Sequence, residues 1–323
     1  MKLILLLIPF LLVIAGCSEP VPPKFLDEGE TYRKYGIHYE YQAEEWNDQD
    51  VLSTPRLQFT WVKPGDEKDQ VGVWSMKFDG TDLREVVKPE ELMPDHLGKG
   101  YLRGEVPMVR SPNNRYIPYA VSYGIYYERR IIDLKTREVT VIVSSGGPPG
   151  FQWFKGSRFL KFSGPGPLMQ YDIETKKMSN IAERFTTGYL EKAQSFDHGN
   201  QLVDMNGPHA TFYDYDSGEL LNKIDNTHGI LTMDNKHWLK WESGFNVDIT
   251  PLNDAYRVFC RLPEGMSRGN LVGISADGDI FSGRGSIKKA KCGDDKRITY
   301  SLPGEGRIGG LVIYNAFPKP VSN

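Results

Sequence analysis

The chain has 323 residues, enough for one large domain. Its 39 basic and 42 acidic residues leave a net charge of −3, which excludes a broad basic surface for nucleic acid. The 33 Gly, 21 Pro and 17 Tyr are the composition of a turn-dense all-β chain.

The N-terminus carries the most specific motif. Lys2 precedes an apolar run from Leu3 to Ile14, shorter than the roughly 20 residues that a spanning helix needs. Val13-Ile14-Ala15-Gly16-Cys17 follows, and it resembles the lipobox of bacterial lipoproteins. The resemblance implies a signal peptide over residues 1–16 cleaved before Cys17. It implies a thioether-linked diacylglycerol on the Cys17 sulfur and a further acyl chain, such as palmitate, on its amine. Ser18 rather than Asp after the Cys favours the outer membrane, on its periplasmic face or at the surface, where the host has one. The other reading is an ordinary secretory signal with a buried Cys17. Residues 17–30 hold Pro20, Pro22, Pro23 and several acids, which suits an extended tether. No later stretch is as apolar, so the expectation is a domain over residues 31–323 on a lipid tether.

Tyr32 to Tyr41 alternates loosely and reads as a strand, and Glu44 to Val51 is polar and acidic. A first unit spans residues 56–87. In it Leu57-Gln58-Phe59-Thr60-Trp61-Val62 alternates cleanly, which predicts a strand with one buried face. Val71 to Phe78 is the next strand. Lys88 to Met108 breaks the pattern and includes Pro89-Glu90-Glu91-Leu92-Met93-Pro94, a short helix or loop. Ser111 to Val143 then shows the plan most clearly: a polar turn, strands at Ile117 to Val121 and Tyr126 to Leu134, a tight hairpin, and a strand at Val139 to Val143.

That plan repeats. The polar turn at Asn113 recurs at Lys155, Asp197, Asp234 and Asp277, in steps of 42, 42, 37 and 43 residues. The hairpin Ile132-Asp133-Leu134-Lys135-Thr136 recurs as Tyr171-Asp172-Ile173-Glu174-Thr175 and as Tyr213-Asp214-Tyr215-Asp216-Ser217. An Asp at that place accepts hydrogen bonds from N–H groups two and three residues on, so its expected role is to close the turn. A period near forty with about four strands per unit predicts an all-β chain folded as a single β-propeller. The units fall at 56–87, 110–143, 151–182, 195–224, 230–262 and 271–302. They give six four-stranded blades, or seven if both termini build another sheet. An open ring would expose an edge. The tail from Gly309 to Asn315, or the Tyr32–Tyr41 strand, is expected to complete the first blade.

Phe78-Asp79-Gly80-Thr81-Asp82-Leu83-Arg84 and Arg110-Ser111-Pro112-Asn113-Asn114-Arg115-Tyr116-Ile117 resemble the two halves of the WD40-like repeat of TolB-type β-propellers. Arg110 stands where that repeat has an aromatic residue. The resemblance covers roughly residues 56–302 and implies the fold far more than a function. It also implies protein contacts in the cell envelope. The 88–108 insertion adds about a dozen residues to the period, and such insertions on a propeller face often bind partners.

Chemistry candidates are few. Cys260 and Cys292 form an even pair in an exported chain, so they are either disulfide-bonded or two buried thiols. His38, His96, His198, His209, His228 and His237 show no metal-ligand spacing. No nucleophile elbow and no phosphate loop occurs, and Lys288-Lys289-Ala290-Lys291 reads as a solvated edge. The Trp residues suit packing between blades, and some tyrosines suit an interface. The expectation is a non-catalytic scaffold or interaction module with no cofactor and no metal, binding an envelope protein or glycan. The alternatives are a hydrolase or lyase acting on peptide or carbohydrate at the central funnel, and a solute receptor feeding an importer.

Overall fold

The computed structural model describes residues 42–62, 70–93, 100–103, 108–145, 150–163, 168–185, 193–196, 199–204, 209–225, 229–231, 237–241, 247–251, 260–261, 266, 271–275, 278–283, 286–291, 297–300, 302 and 308–314. The leader, Cys17, the tether and the Tyr32–Tyr41 segment lie outside them. Among the described residues no helix is long and apolar enough to cross a membrane.

The fold is an all-β β-propeller. Among the described residues the strands form six sheets. The first contains β1 (Gln42–Ala43), β2 (Arg56–Trp61), β3 (Gly72–Lys77) and β4 (Arg84–Val87), with helix α1 (Gln49–Ser53) between β1 and β2. Helix α2 (Pro89–Leu92) leads to the second sheet, β5 (Tyr101–Leu102), β6 (Tyr116–Ser122), β7 (Tyr127–Asp133) and β8 (Val139–Ser145). The third is β9 (Gly150–Phe154), β10 (Phe159–Ser163), β11 (Met169–Asp172) and β12 (Lys177–Asn180). The fourth is β13 (Gln194–Phe196), β14 (Gln201–Asp204), β15 (His209–Asp214) and β16 (Leu220–Asp225). The fifth is β17 (Gly229–Leu231), β18 (His237–Trp241), β19 (Val247–Pro251) and β20 (Cys260–Arg261). The sixth is β21 (Leu271–Ile274), β22 (Asp279–Gly283), β23 (Ile287–Lys291) and β24 (Arg297–Tyr300). Finally β25 (Gly309–Tyr314) returns to pair antiparallel with β2, so the first sheet runs β1-β4-β3-β2-β25. The C-terminal tail is thus the strand that completes the first sheet.

Among the described residues, neighbouring sheets pack face to face along four seams. Leu57, Phe59 and Trp61 of β2 pack with Phe281, Ile287 and Tyr300 of the sixth sheet. Val73, Val87 and Leu92 pack with Leu102, Ile117 and Ile132 of the second. Ala120 and Ile131 meet Phe151, Trp153 and Leu160 of the third, and Phe154 and Leu168 meet Leu202 and Tyr213 of the fourth. Burial on two faces explains a departure from the pattern expected for β2. All six of its residues are buried, including the polar Arg56, Gln58 and Thr60. The alternation separates an apolar seam from a polar one, not core from solvent.

The 88–108 segment also differs from expectation. It is not only an insertion. Within it β5 pairs with β6 and supplies the first strand of the second sheet. Edge strands of neighbouring sheets pack together, β9 against β13 and β21 against β25, so these strands lie nearest the propeller axis.

Candidate interaction face

The repeated polar residues gather at one end of the sheets. Asp133 accepts from the Lys135 N–H at 2.9 Å. Asp172 accepts from Glu174 and Thr175 at 2.9 and 3.3 Å, and Asp214 from Asp216 and Ser217 at 3.1 and 2.8 Å. Four residues after each Asp the chain takes a positive φ, 63° at Arg137, 56° at Lys176 and 73° at Gly218. Each hairpin then bonds to the polar turn of its own sheet. Leu134 N–H donates to the Arg115 carbonyl at 2.7 Å, Ile173 to Arg158 at 2.9 Å and Tyr215 to Asn200 at 3.0 Å. Neighbouring turns are linked too. Asn113 N–H donates to Ser157 Oγ at 2.8 Å and Lys155 N–H to the Gly199 carbonyl at 3.1 Å. The step of about 42 residues is therefore the spacing at which one turn meets the next. These carboxylates are held below their ordinary range. For Asp172 slight desolvation opposes the shift and the backbone N–H bonds outweigh it, and for Asp214 the Ser217 N–H leads. All three close their turns, and Asp133 also takes a two-point ion pair from Arg115 at 2.8 and 2.6 Å.

The opposite end of the second sheet is built differently. The β6–β7 hairpin turns through Tyr123-Gly124-Ile125-Tyr126, with Tyr123 N–H donating to the Tyr126 carbonyl at 2.9 Å. Gly124 has φ 83°, which a glycine adopts without strain. The Tyr123 and Tyr126 rings stack with centroids 5.1 Å apart and planes 14° apart. That stack turns Ile125 outward, where it is 94% exposed. Tyr126 is 40% exposed.

The 88–108 segment meets this tip. A Cβ on Gly100 would lie 2.6 Å from Cε1 of Tyr123, so only glycine allows the ring that close. Next in the chain, Tyr101 pairs with Ser122 and is 50% exposed. The Arg103 guanidinium lies 5.8 Å from the Tyr101 ring centre and 5.6 Å from that of Tyr127, and it donates to Tyr101 Oη at 3.1 Å. Arg130 donates to Tyr123 Oη at 2.8 Å and is itself ion-paired with Glu128 at 2.6 Å. The result is a preorganised patch of Tyr, Arg and one projecting Ile. Tyr and Arg are the residues enriched at protein interface hot spots. Ring stacking and hydrogen bonds fix the rotamers in advance, which lowers the entropy cost of binding.

Two buried polar clusters complete the picture. Between the first and second sheets, Arg110 pairs with Glu44 at 2.6 Å, and both side chains are 1% exposed. Burial alone would raise the Glu44 pKa. The Arg110 charge, the Ser75 hydroxyl and the Arg56 charge outweigh it and hold the group below the usual carboxylate range. In the third sheet Lys161 is buried and donates to the Ala193 carbonyl. Burial pushes its ammonium down to about 8, against the opposing charge of Asp204.

The site residues expected from sequence fall largely outside the described residues. Cys17 and Cys292 lie outside the described residues. Cys260 is in β20, opposite Ile249, and its side chain lies outside the description. His209 and His237 are on β15 and β18, and the other four His lie outside. Among the described residues no group of three or more His, Cys, Asp or Glu is placed to hold a metal ion. The tyrosine patch was foreshadowed only by the abundance of Tyr and the break at residues 88–108.

No protein-family model and no curated protein sequence matches the chain. Solved structures do resemble it. TolB from Acinetobacter baumannii aligns with a TM-score of 0.54 at 14% identity, over 81% of this chain and 67% of that one. A chain of the nidogen/laminin complex aligns with a TM-score of 0.52 at 12% identity, over 80% of this chain and 98% of that one. Both likenesses speak to the fold.

Proposed function

We propose that this chain is a lipid-anchored, non-catalytic β-propeller of six blades that presents the Tyr101–Tyr127 face to a protein of the cell envelope. The observation that carries the reading is Ile125, an aliphatic side chain held out into solvent by a stacked tyrosine pair. A projecting apolar wedge matches a pocket on a protein better than the flat, polar face of a glycan. The anchor rests on the lipobox at Cys17, which would keep the domain at a membrane with outer-membrane sorting set by Ser18. The fold-level likeness to a chain from a protein–protein complex is in keeping with a contact role.

In-cell crosslinking of the full-length protein, followed by purification from detergent-solubilised envelopes, tests the binding face. Wild type is expected to retain one stoichiometric partner, and Ile125→Asp to lose at least tenfold of it, about 1.4 kcal/mol. Because Ile125 is exposed, stability is expected to stay within about 0.5 kcal/mol of wild type. Identical partner recovery from the two proteins would reject the face. Separately, Cys17→Ser is expected to move the protein from the membrane to the soluble fraction. Retention of acyl chains in that variant would reject the anchor.

A further inference from the structure

We propose that residues 42–54 form a latch, in which the Glu44 carboxylate locks the C-terminal strand β25 into the first sheet and ties that sheet to the second. Five separate parts of the chain converge on this one residue. Its carboxylate takes Arg110, from the turn before β6, at 2.6 Å. It accepts from the Ser75 hydroxyl on β3 and from Tyr314 Oη on β25 at 3.2 Å. Its N–H donates to the Glu85 carbonyl on β4 at 2.8 Å. Its carbonyl accepts from Arg137, in the second sheet's hairpin, at 3.4 Å.

Arg110 extends the junction. Its guanidinium lies 4.5 Å from the centre of the Tyr314 ring, and its Nε donates to Gln58 Oε1 at 3.1 Å. Gln58 in turn donates to the Met108 carbonyl at 2.6 Å. Arg56 reaches Ser75 at 3.1 Å and pairs with Asp82 at 2.7 Å. The seam therefore holds two buried guanidinium groups, and Glu44 is the buried carboxylate between them. It comes from a segment that belongs to no repeat. Among the described residues β1 adds two residues to the sheet, a short pairing on its own. The polar lock makes the segment binding.

Amide hydrogen exchange on the full-length protein at pH 7 tests the latch. Glu44→Gln is expected to speed exchange in residues 308–314 at least tenfold and to leave residues 151–162 and 201–213 unchanged. Unchanged protection of 308–314, or equal loss in all three stretches, would overturn the proposal. A double variant, Glu44→Leu with Arg110→Trp, removes both charges together and fills the seam with an aromatic ring. It is expected to restore protection of 308–314 to within threefold of wild type. A double variant as loose as Glu44→Gln, or one that does not fold, would overturn the proposal as well.

Discussion

Lys161 has surroundings that conflict with its charge. Its folded pKa of about 8 lies below its ordinary 10.5. Between those values the unfolded chain holds a proton that the folded chain has released, so stability rises with pH from about 8 to about 10.5. The gain is on the order of 3 kcal/mol at 1.36 kcal/mol per pKa unit. Lys161→Met is expected to lose this rise, and urea titrations of the two proteins at pH 7.5 and pH 10 measure it. Parallel pH profiles would show that the ammonium is not desolvated in solution. Lys176 carries a different strain. It is exposed with φ 56°, a conformation that costs a residue with a Cβ about 1–2 kcal/mol. Lys176→Gly is expected to gain about 0.5 kcal/mol, since glycine's larger unfolded-state entropy offsets part of the relief. Asp133, Asp172 and Asp214 were legible from sequence because a carboxylate two residues before an N–H closes a turn by local chemistry alone. Lys176 and Arg137 were not. The equivalent place in the fourth sheet is Gly218, and only there does the residue type betray the left-handed backbone.

At the scale of elements, β2, β3, β6, β7, β8 and β25 announced themselves by composition and turn spacing, and the two-residue β5 did not. Two residues carry no period. What defines β5 is its pairing with Val121 and Ser122, a contact across about twenty positions. Of the helix or loop expected at Pro89–Pro94 the helix forms: Pro89 suits a first helical position and Glu91 accepts from the Lys88 N–H at 2.8 Å. The tyrosine patch was not readable, since it needs Gly100 and Tyr123 to meet in space. Arg110 was visible as a break in the TolB-like repeat, but its reason lay in Glu44, 66 positions earlier. These contacts also show that the 88–108 segment cannot be tested by removal. Leu92, Leu102 and Met108 are all buried in the seam between the first two sheets. Deleting residues 88–108 is expected to abolish cooperative unfolding of the second sheet. Gly100→Ala is the finer probe: its methyl must displace the Tyr123 ring, so it is expected to lower partner capture while the melting temperature falls by only a few degrees. A Gly100→Ala protein with undiminished capture would separate β5 from the face.

For the molecule as a whole, the described cohesion between sheets lies in four seams between neighbours. Carboxylates with lowered pKa fasten individual sheets and, at Glu44, the junction of two. Among the described residues they are Glu44, Asp48, Asp82, Asp133, Asp172 and Asp214. A lowered folded pKa means that the unfolded chain takes up protons first as pH falls. The stabilisation from these groups is complete above their ordinary values of 3.8 for Asp and 4.5 for Glu, and it drains away as pH drops through the lower folded values. Asp82 isolates the effect. Desolvation opposes its shift, and the Arg84 and Arg56 hydrogen bonds outweigh it. Its φ of 53° is one that asparagine also tolerates, so Asp82→Asn keeps the turn and removes the charge. That leaves the buried Arg56 without its anion, at a cost of about 3 kcal/mol near neutral pH. In acid the wild-type Asp82 becomes neutral too, and the two proteins become alike. Urea titrations at pH 7 and pH 2.5 are therefore expected to show a gap that narrows as the pH falls. A gap of the same size at both pH values would mean that packing, not the Arg56–Asp82 charge pair, secures this part of the ring.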